Sequence, residues 1–355
     1  MRRLGLMALL FIAALGGLAG WLDSRISRPY RGHRPEKVFV DIPHGTSRWD
    51  ISGILKQNDV IRDRLAFEIF AVWHFRTPLL AGEYYFDSPL NSKEVFGKIS
   101  QGKIFVHVVT IPEGWTMFDI AEELARQGIC SREDFLNAAR DPSAVSDLSP
   151  QARTLEGFLF PSTYQFTRHT TCKQIAHRMT QDFRAVWEAV DPSKSSPLPE
   201  GLTLAQFVTL ASLVERETPR PEERPIVAGV FYNRLRRGLP LQCDPTVQYA
   251  MDLGGHPEKN LSSKDLRLNS PYNTYLHRGL PPGPIANPGE ASLRAALTPA
   301  QTDFLYFVAN DKGGHFFSKT LTEHNRNVAR YHHLLAGDSA SLDPVSTRTK
   351  HRGPS

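Results

Sequence analysis

The chain has 355 residues, of which 41% are hydrophobic and 22% charged, so it can bury a sizeable core and has room for two domains. Its net charge of +5 is mild and fits a partner that carries carboxylates or an anionic membrane surface. No arginine-rich run or aromatic stacking platform accompanies this charge, which argues against nucleic acid as a partner.

The amino terminus predicts an uncleaved membrane anchor. Two arginines precede an uncharged, mainly apolar run of nineteen residues, Leu4 to Leu22, about the length that crosses a bilayer as a helix. A secretory signal usually has a shorter apolar region, and no good small-residue cleavage site follows this one. We therefore expect an anchor over residues 1–22, a linker over residues 23–37 and a translocated remainder.

An internal repeat follows the linker. Residues 40–55, VDIPHGTSRWDISGIL, match residues 109–124, VTIPEGWTMFDIAEEL, without a gap, and each copy predicts a strand, a Pro-Gly turn and a helix. Further predicted elements are a second helical stretch after each copy and two β-rich segments between the copies: 63–75, 131–139, 82–86 and 103–108. The repeat is either purely architectural, two small units that cover each other's apolar faces, or it forms a ligand groove. Its IPxG start resembles LysM glycan-binding modules, which predicts a LysM-like module over residues 38–145.

The second half predicts a mixed α/β domain over residues 150–335, so the fold class is α+β. The predicted elements are three helices, a long loop region with little periodicity, and two strands joined by a Gly-Gly turn: 172–190, 203–218, 225–238, 239–290 and 306–325. The last twenty residues, 336–355, have the composition of a disordered tail.

Three cysteines, Cys130, Cys172 and Cys243, are widely spaced and include no CxxC pair. They indicate neither a disulfide framework nor a zinc site, although one bridge is possible in an oxidising compartment; buried, unpaired cysteine is the preferred interpretation. No phosphate loop, dinucleotide fingerprint or serine nucleophile elbow is present, so no metal or cofactor is expected.

One helix carries the strongest chemical signal. TLAQFVTLASLVERET opens with a capping box at Thr203 and is apolar almost all round from Phe207 to Val214, which predicts a buried helix. Glu215 lies at the end of the buried apolar stripe of this helix. A carboxyl group in that position should have a raised pKa, as a general acid needs. Glu217 points to a different face and is predicted to be a surface or pairing residue, with Arg220 as a partner.

The loop region predicts a polysaccharide groove. LQCDPTVQYAM and SPYNTYLHRGLPPGPIANPG combine polar and aromatic side chains with a backbone stiffened by proline, which suits sugar rings and hydroxyls. The alternatives are that Asp-Pro starts a turn, that the loop is a non-catalytic wall and that the histidine is structural. The candidate groove residues are Asp244, Thr246, Gln248, Tyr272, Asn273, Tyr275 and His315.

Four motifs together resemble the endolytic murein transglycosylases, the MltG/YceG-like family: LASLVERET, VFYNRLRRGLPLQCDPTVQYAM, SPYNTYLHRGLPPGPIANPG and LYFVANDKGGHFFSKTLTEHN. The resemblance runs in the family's order from Val38 to Tyr331. It implies a single-pass anchor in the bacterial inner membrane, a LysM-like subdomain and a periplasmic catalytic domain. It maps the family's catalytic glutamate, in the motif ASxVExET, to Glu215. Cys243 stands where the family more often has Ser or Thr, which puts a hydroxyl contact there in doubt.

The resemblance also implies the reaction, cleavage between N-acetylmuramic acid and N-acetylglucosamine within nascent glycan strands with formation of 1,6-anhydro ends. This would terminate strand elongation, and association with peptidoglycan synthases is a further expectation from the family. One carboxylate suffices, because the muramyl C6 hydroxyl serves as an internal nucleophile. Two alternatives stay open: a non-catalytic, membrane-anchored peptidoglycan-binding scaffold, and a hydrolase with a second carboxylate such as Asp244.

Overall fold

The computed structural model describes residues 2–32, 37–192, 197–256 and 260–340. They form a mixed α/β architecture with one N-terminal apolar helix, as the predicted fold class requires. The chain divides into two compact units, unit 1 with Met1–Val109 and Tyr164–Thr170, and unit 2 with Thr110–Thr163 and Thr171–Ser355. The two copies of the sequence repeat therefore fall in different units, copy one in unit 1 and nearly all of copy two in unit 2.

Unit 1 is built around an antiparallel strand pair covered by helices. Its elements in chain order are α1 (Arg2–Ser27), β1 (Val38–Ile42), α2 (Arg48–Gln57), α3 (Arg64–Trp73), β2 (Gly82–Phe86), α4 (Ser92–Ser100) and β3 (His107–Thr110). β1 pairs with β2 from Val38 opposite Phe86 to Ile42 opposite Gly82. Alternate strand residues face the helices, and the core they share includes Val40, Tyr84, Leu55, Phe67 and Ile99.

Helix α1 is longer than the predicted anchor. An apolar, membrane-length segment of 19 residues runs over Leu9–Ser27, and Ile26 near its end is buried. The helix continues to Ser27 because the first helix-breaking residue after the apolar run is Pro29. The first part of the predicted linker is therefore helical, and residues 33–36 of that linker lie outside the described residues.

Unit 2 packs its helices around α8. Its elements are α5 (Met117–Arg126), α6 (Arg132–Arg140), α7 (Cys172–Val190), α8 (Leu204–Glu217), α9 (Arg224–Arg236), α10 (Asp244–Leu253), α11 (Glu290–Leu297), β5 (Tyr306–Ala309), β6 (His315–Ser318) and α12 (Leu321–Ala340). Residues 164–166 of β4 (Thr163–Phe166) belong to unit 1, where β4 pairs with β3. The capping box at Thr203 and the burial of residues 207–214 are confirmed. Helices α9, α10 and α11 contact α8, which places the end of α8 among three other elements.

Two predicted irregular regions contain helix. Asp244 and Pro245 begin α10 inside the predicted loop region, because a proline in the first turn lacks only an N–H that has no helical partner there. Residues 336–340 of the predicted tail continue α12, and residues 341–355 lie outside the described residues.

The preferred interpretation of the cysteines is wrong for two of the three. Cys130 and Cys172 form a disulfide across 42 residues of sequence, joining the segment before α6 to the first residue of α7. The spacing alone could not show this pairing, because only the packing of α6 against α7 brings the two residues together. Cys243 is free and buried, as predicted.

Candidate active site

The end of α8 carries Glu215, whose carboxylate is enclosed by its neighbours. Arg224 Nη2 donates to Glu215 Oε1 at 2.9 Å, and the Gly289 N–H donates to Oε2 at 3.0 Å. The side chain is 5% exposed, and its burial raises the pKa of Glu215, partly offset by Gly289 and Arg224. Gly289 is the N-cap of α11, so Glu215 supplies the anionic group that this helix terminus favours. Glu215 thereby ties α8 to α9 and α11.

A second carboxylate joins this cluster. Glu113 Oε2 lies 3.3 Å from Arg224 Nη2, and the Arg224 side chain is only 8% exposed. A Cβ on Gly289 would lie 2.0 Å from Glu113 Oε1, so a larger residue at this position would displace the Glu113 carboxylate. The two ion pairs join Arg224, at the start of α9, to the end of α8 and to the turn before α5 that carries Glu113.

Glu217 borders a different space, a cleft of about 560 Å³ that we call the Glu217 cleft. This volume lies within the range of pockets that hold small ligands. The cleft lies between the start of α10, strand β5 and the start of α12. Three of the predicted groove residues line it together with Glu217: Asp244, Tyr275 and His315.

The electrostatic surroundings of Glu217 favour a proton on its carboxyl group. Burial raises the pKa of Glu217 to about 7, and the neighbouring Asp244 carboxylate contributes to the increase. A hydrogen bond donated by the Cys243 thiol and the charge of Arg216 oppose it. A pKa near neutrality suits a group that must both give and take a proton at neutral pH.

The predicted surface or pairing role of Glu217 does not match this placement. Arg220, the expected partner, donates instead to the carbonyls of Lys312 and Gly313 and forms an ion pair with Glu222. The prediction that the two glutamates point to different faces is confirmed, since one faces α9 and α11 and the other faces the cleft.

His315 enters the cleft in a defined orientation. Its Nδ1 lies 2.6 Å from Glu223 Oε2, and its backbone N–H donates to Glu223 Oε1 at 2.9 Å. Burial alone would raise the pKa of Glu223, but hydrogen bonds from His315 and Thr218 outweigh it and hold that pKa below its usual value. A carboxylate at Nδ1 favours the tautomer with a proton there, which leaves Nε2 of His315 as a hydrogen-bond acceptor.

Asp244 and Tyr275 form a second fixed pair in the cleft. The Tyr275 hydroxyl donates to Asp244 Oδ1 at 2.5 Å, and burial together with Asp244 raises the pKa of Tyr275. Gln242, in the same wall, has φ of +51°, a left-handed conformation that costs free energy in a residue with a side chain. Its side-chain oxygen accepts from buried Arg234, which holds this conformation in place.

The remaining predicted groove residues do not line the Glu217 cleft. Thr246 and Asn273 are fully buried; Asn273 Nδ2 donates to the carbonyls of Leu266 and Leu268 at 3.0 and 2.8 Å. Tyr272 and Gln248 are half-buried, and the Tyr272 ring packs 5.1 Å from the ring of Tyr249. Thr246 and Gln248 lie in α10, and Tyr272 and Asn273 lie in the loop that precedes α11.

Glu156, for which the sequence predicted no role, is buried among three hydrogen-bond donors. The Met117 N–H, the Tyr249 hydroxyl and Asn287 Nδ2 all donate to its carboxyl group, the last at 2.8 Å. Burial outweighs these hydrogen bonds and raises the pKa of Glu156 to about 8. A charged residue beside the apolar run GFLF was the signal that could have found it.

The raised pKa values of Glu156 and Glu217 make the fold less stable as pH rises. Their values of about 8 and about 7 exceed 4.5, so between pH 5 and 8 the folded protein binds protons that the unfolded chain has released. Stability is therefore highest at the low end of this window and falls by at most about 1.4 kcal/mol per pH unit for each group.

The variant Glu156→Gln should flatten this dependence, because an amide keeps both hydrogen-bonding functions without titrating. Urea unfolding of both proteins at pH 5, 6, 7 and 8 checks the expectation. Equal slopes for the variant and the parent would show that Glu156 is already ionised in the folded protein at pH 5.

Comparisons with known proteins cover most of the chain. A family model described as the YceG-like family matches residues 40–330. An endolytic murein transglycosylase of Bacillus subtilis (strain 168) is 35% identical over 310 residues, 83% of this chain and 84% of the relative. One of the same name from Streptococcus pneumoniae serotype 2 is 30% identical over 360 residues, 91% of this chain and 64% of the relative. The crystal structure of a YceG-like protein of Listeria monocytogenes has a TM-score of 0.54 and 36% identity, covering 82% of this chain and 98% of that one.

Proposed function

Because the chain belongs to the YceG-like family, we propose that it is a lytic transglycosylase that cuts peptidoglycan glycan strands internally. The proposal is supported by relatives named endolytic murein transglycosylase at 30–35% identity over most of the chain. It is also supported by a cleft that is large enough for sugar rings and contains a carboxyl group with a pKa near 7. The bond cut would be the one between N-acetylmuramic acid and N-acetylglucosamine.

Glu217 is the proton donor that the geometry supports best, and its position in the cleft is the observation that carries this proposal. Its carboxylic acid protonates the glycosidic oxygen as the bond to the muramyl C1 breaks. The resulting carboxylate then takes the proton of the C6 hydroxyl, whose oxygen bonds to C1 and closes the 1,6-anhydro ring. No water is consumed, and the proton lost in the first step is regained in the second.

Glu215 remains the sequence-based alternative for this role. Both of its carboxylate oxygens already accept hydrogen bonds, from Arg224 and Gly289, and its side chain is 5% exposed. A carboxylate held in this way must break an ion pair with a buried arginine before it can accept a proton for transfer. Cleavage by the variants Glu215→Gln and Glu217→Gln separates the two assignments.

Other residues of the cleft orient the strand in this proposal. Nε2 of His315 is held ready to accept a hydrogen bond from a sugar hydroxyl or amide. The proximity of Asp244 to Glu217 favours one competing function, a hydrolase in which Asp244 activates water.

We place the catalytic unit outside the cytoplasm, attached to the inner membrane through α1. The apolar helix and the Cys130–Cys172 disulfide both support this location, since structural disulfides persist in oxidising compartments. Unit 1 would act as a LysM-like glycan-binding module, and the enzyme would end strand elongation beside peptidoglycan synthases.

Mass spectrometry of the products formed from purified glycan strands tests the proposed reaction. The expected products carry 1,6-anhydro muramyl ends, each lighter than the corresponding reducing end by the mass of one water molecule because no water is added. Reducing ends would replace this proposal with the Asp244-assisted hydrolase. Binding of strands without any cleavage would support the scaffold instead.

A further inference from the structure

The carboxyl-terminal end of α3 presents an unusually exposed apolar surface. Val72, Trp73 and Phe75 are 58%, 70% and 67% exposed. They lie close together, because Val72 and Trp73 are the last two residues of α3 and Phe75 follows the C-cap residue. Phe67 and Ala71 on the opposite face are fully buried in the core of unit 1. Soluble proteins rarely leave such contiguous apolar groups in water, which indicates a partner for this surface. We call Val72, Trp73 and Phe75 the aromatic end of α3.

The position of the anchor helix indicates that the partner of this surface is the membrane. Helix α1 packs against α3 and α4 within unit 1, with Leu22 half-buried and Ile26 buried in this contact. Leu22 is also the last residue of the uncharged run that starts at Leu4, and the charged residues Asp23 and Arg25 follow it within the segment Leu9–Ser27, so we place the end of the hydrocarbon layer at Leu22. The four residues from Leu22 to Ile26 rise about 6 Å along a helix, and the headgroup layer on one side of a bilayer is about 5–7 Å thick. The part of unit 1 that contacts α1 therefore begins at the depth of the headgroups.

The chemistry of this surface matches that depth. Tryptophan is typical of the interface between lipid and water, and interfacial helices combine tryptophan or phenylalanine on their apolar face with cationic groups on their polar face. Arg76 lies over the Phe75 ring, 5.5 Å from its centroid, and Arg25 lies over the Trp21 ring at 5.8 Å. Helix α3 thus ends with the same pairing of an aromatic ring and an arginine that occurs near the end of the anchor.

We propose that the aromatic end of α3 lies in the headgroup layer of the membrane that α1 spans, as a second contact of unit 1 with the lipid. The inference rests on the proposed membrane anchoring by α1. A single helix leaves the attached unit free to tilt and rotate, whereas two contacts define which face of unit 1 points away from the membrane.

Quenching of tryptophan fluorescence by brominated lipids tests this contact in the full-length protein. Three single-tryptophan proteins, retaining Trp21, Trp73 or Trp187 with phenylalanine at the other tryptophan positions, are reconstituted into phosphatidylethanolamine–phosphatidylglycerol vesicles. We expect Trp21 and Trp73 to lose emission when the acyl chains are brominated. Trp187, which packs in unit 2 with its ring 5.1 Å from that of Phe207, should keep its emission.

The outcomes separate this inference from the anchoring on which it rests. Quenching of Trp21 without quenching of Trp73 would overturn the second contact and leave the anchor intact. Quenching of neither would overturn the anchor itself. Should the Trp73 protein fail to fold, a protein with Phe75→Trp as its only tryptophan provides the same measurement two residues beyond the end of α3.

Discussion

Glu217→Gln is expected to abolish cleavage of glycan strands while the protein stays folded. An amide of the same shape fills the same space, but it can neither donate the proton to the glycosidic oxygen nor take one from the C6 hydroxyl. Loss of general acid–base catalysis by one group lowers rates by about 10²–10⁴-fold. Stability at pH 8 should be equal or higher, because the variant no longer requires burial of a carboxylate whose pKa is about 7. The measurement is the rate at which anhydro ends appear, with thermal unfolding of the same sample.

Glu215→Gln is the matched control and should behave in the opposite way. It removes the charge that pairs with Arg224 at 2.9 Å, and breaking a buried ion pair typically costs about 3–5 kcal/mol. Glu113, which lies 3.3 Å from the same arginine, should keep the loss near the low end of that range. At a temperature where the variant is folded, cleavage should persist.

The converse result would reverse the assignment. If folded Glu215→Gln protein makes no anhydro ends and Glu217→Gln protein makes them at the parent rate, the proton donor is Glu215. The assay uses one substrate and one pH for both variants, so the difference between them measures the role of each carboxyl group alone.

Removing the disulfide should produce the largest loss of stability. Replacement of Cys130 and Cys172 by serine opens a link across 42 residues. The chain-entropy treatment of such a loop gives about 4 kcal/mol, and measured losses are commonly about 2–5 kcal/mol. The fall in the midpoint of urea unfolding, compared with the oxidised parent protein, measures the effect.

Cys243→Ser provides the control for this experiment. That variant keeps the disulfide, so a reductant should still destabilise it by the amount that the double replacement costs. Alkylation of the unfolded, unreduced parent protein should modify one cysteine, since Cys243 is the free thiol. Modification of all three cysteines would contradict the bridge.

Much of the architecture follows from local pattern. The strand predicted at the start of the first repeat copy lies in β1, the β-rich segment 82–86 coincides with β2, and residues 172–190 coincide with α7. The buried character of α8 follows from its apolar run and its capping box, both of which act over a few residues. Helix α10 was not predicted from the sequence, because an Asp-Pro start is equally common in turns. Only packing against α8 selects the helix.

The candidate active site likewise combines features that nearby residues determine with features that depend on long-range contacts. The sequence predicts Glu215 as the proton donor, because a carboxyl group at the end of a buried helix has its pKa raised by burial, and it predicts a surface or pairing role for Glu217. In the structure, burial raises the pKa of both glutamates. Whether such a group pairs with an arginine or faces a cleft depends on Arg224, Gly289 and Cys243, which arrive from other elements. The disulfide and the buried Glu156 are equally products of long-range contacts. Periodicity and capping act within a few residues of one another, whereas charge pairing and burial depend on segments that only the folded chain brings together.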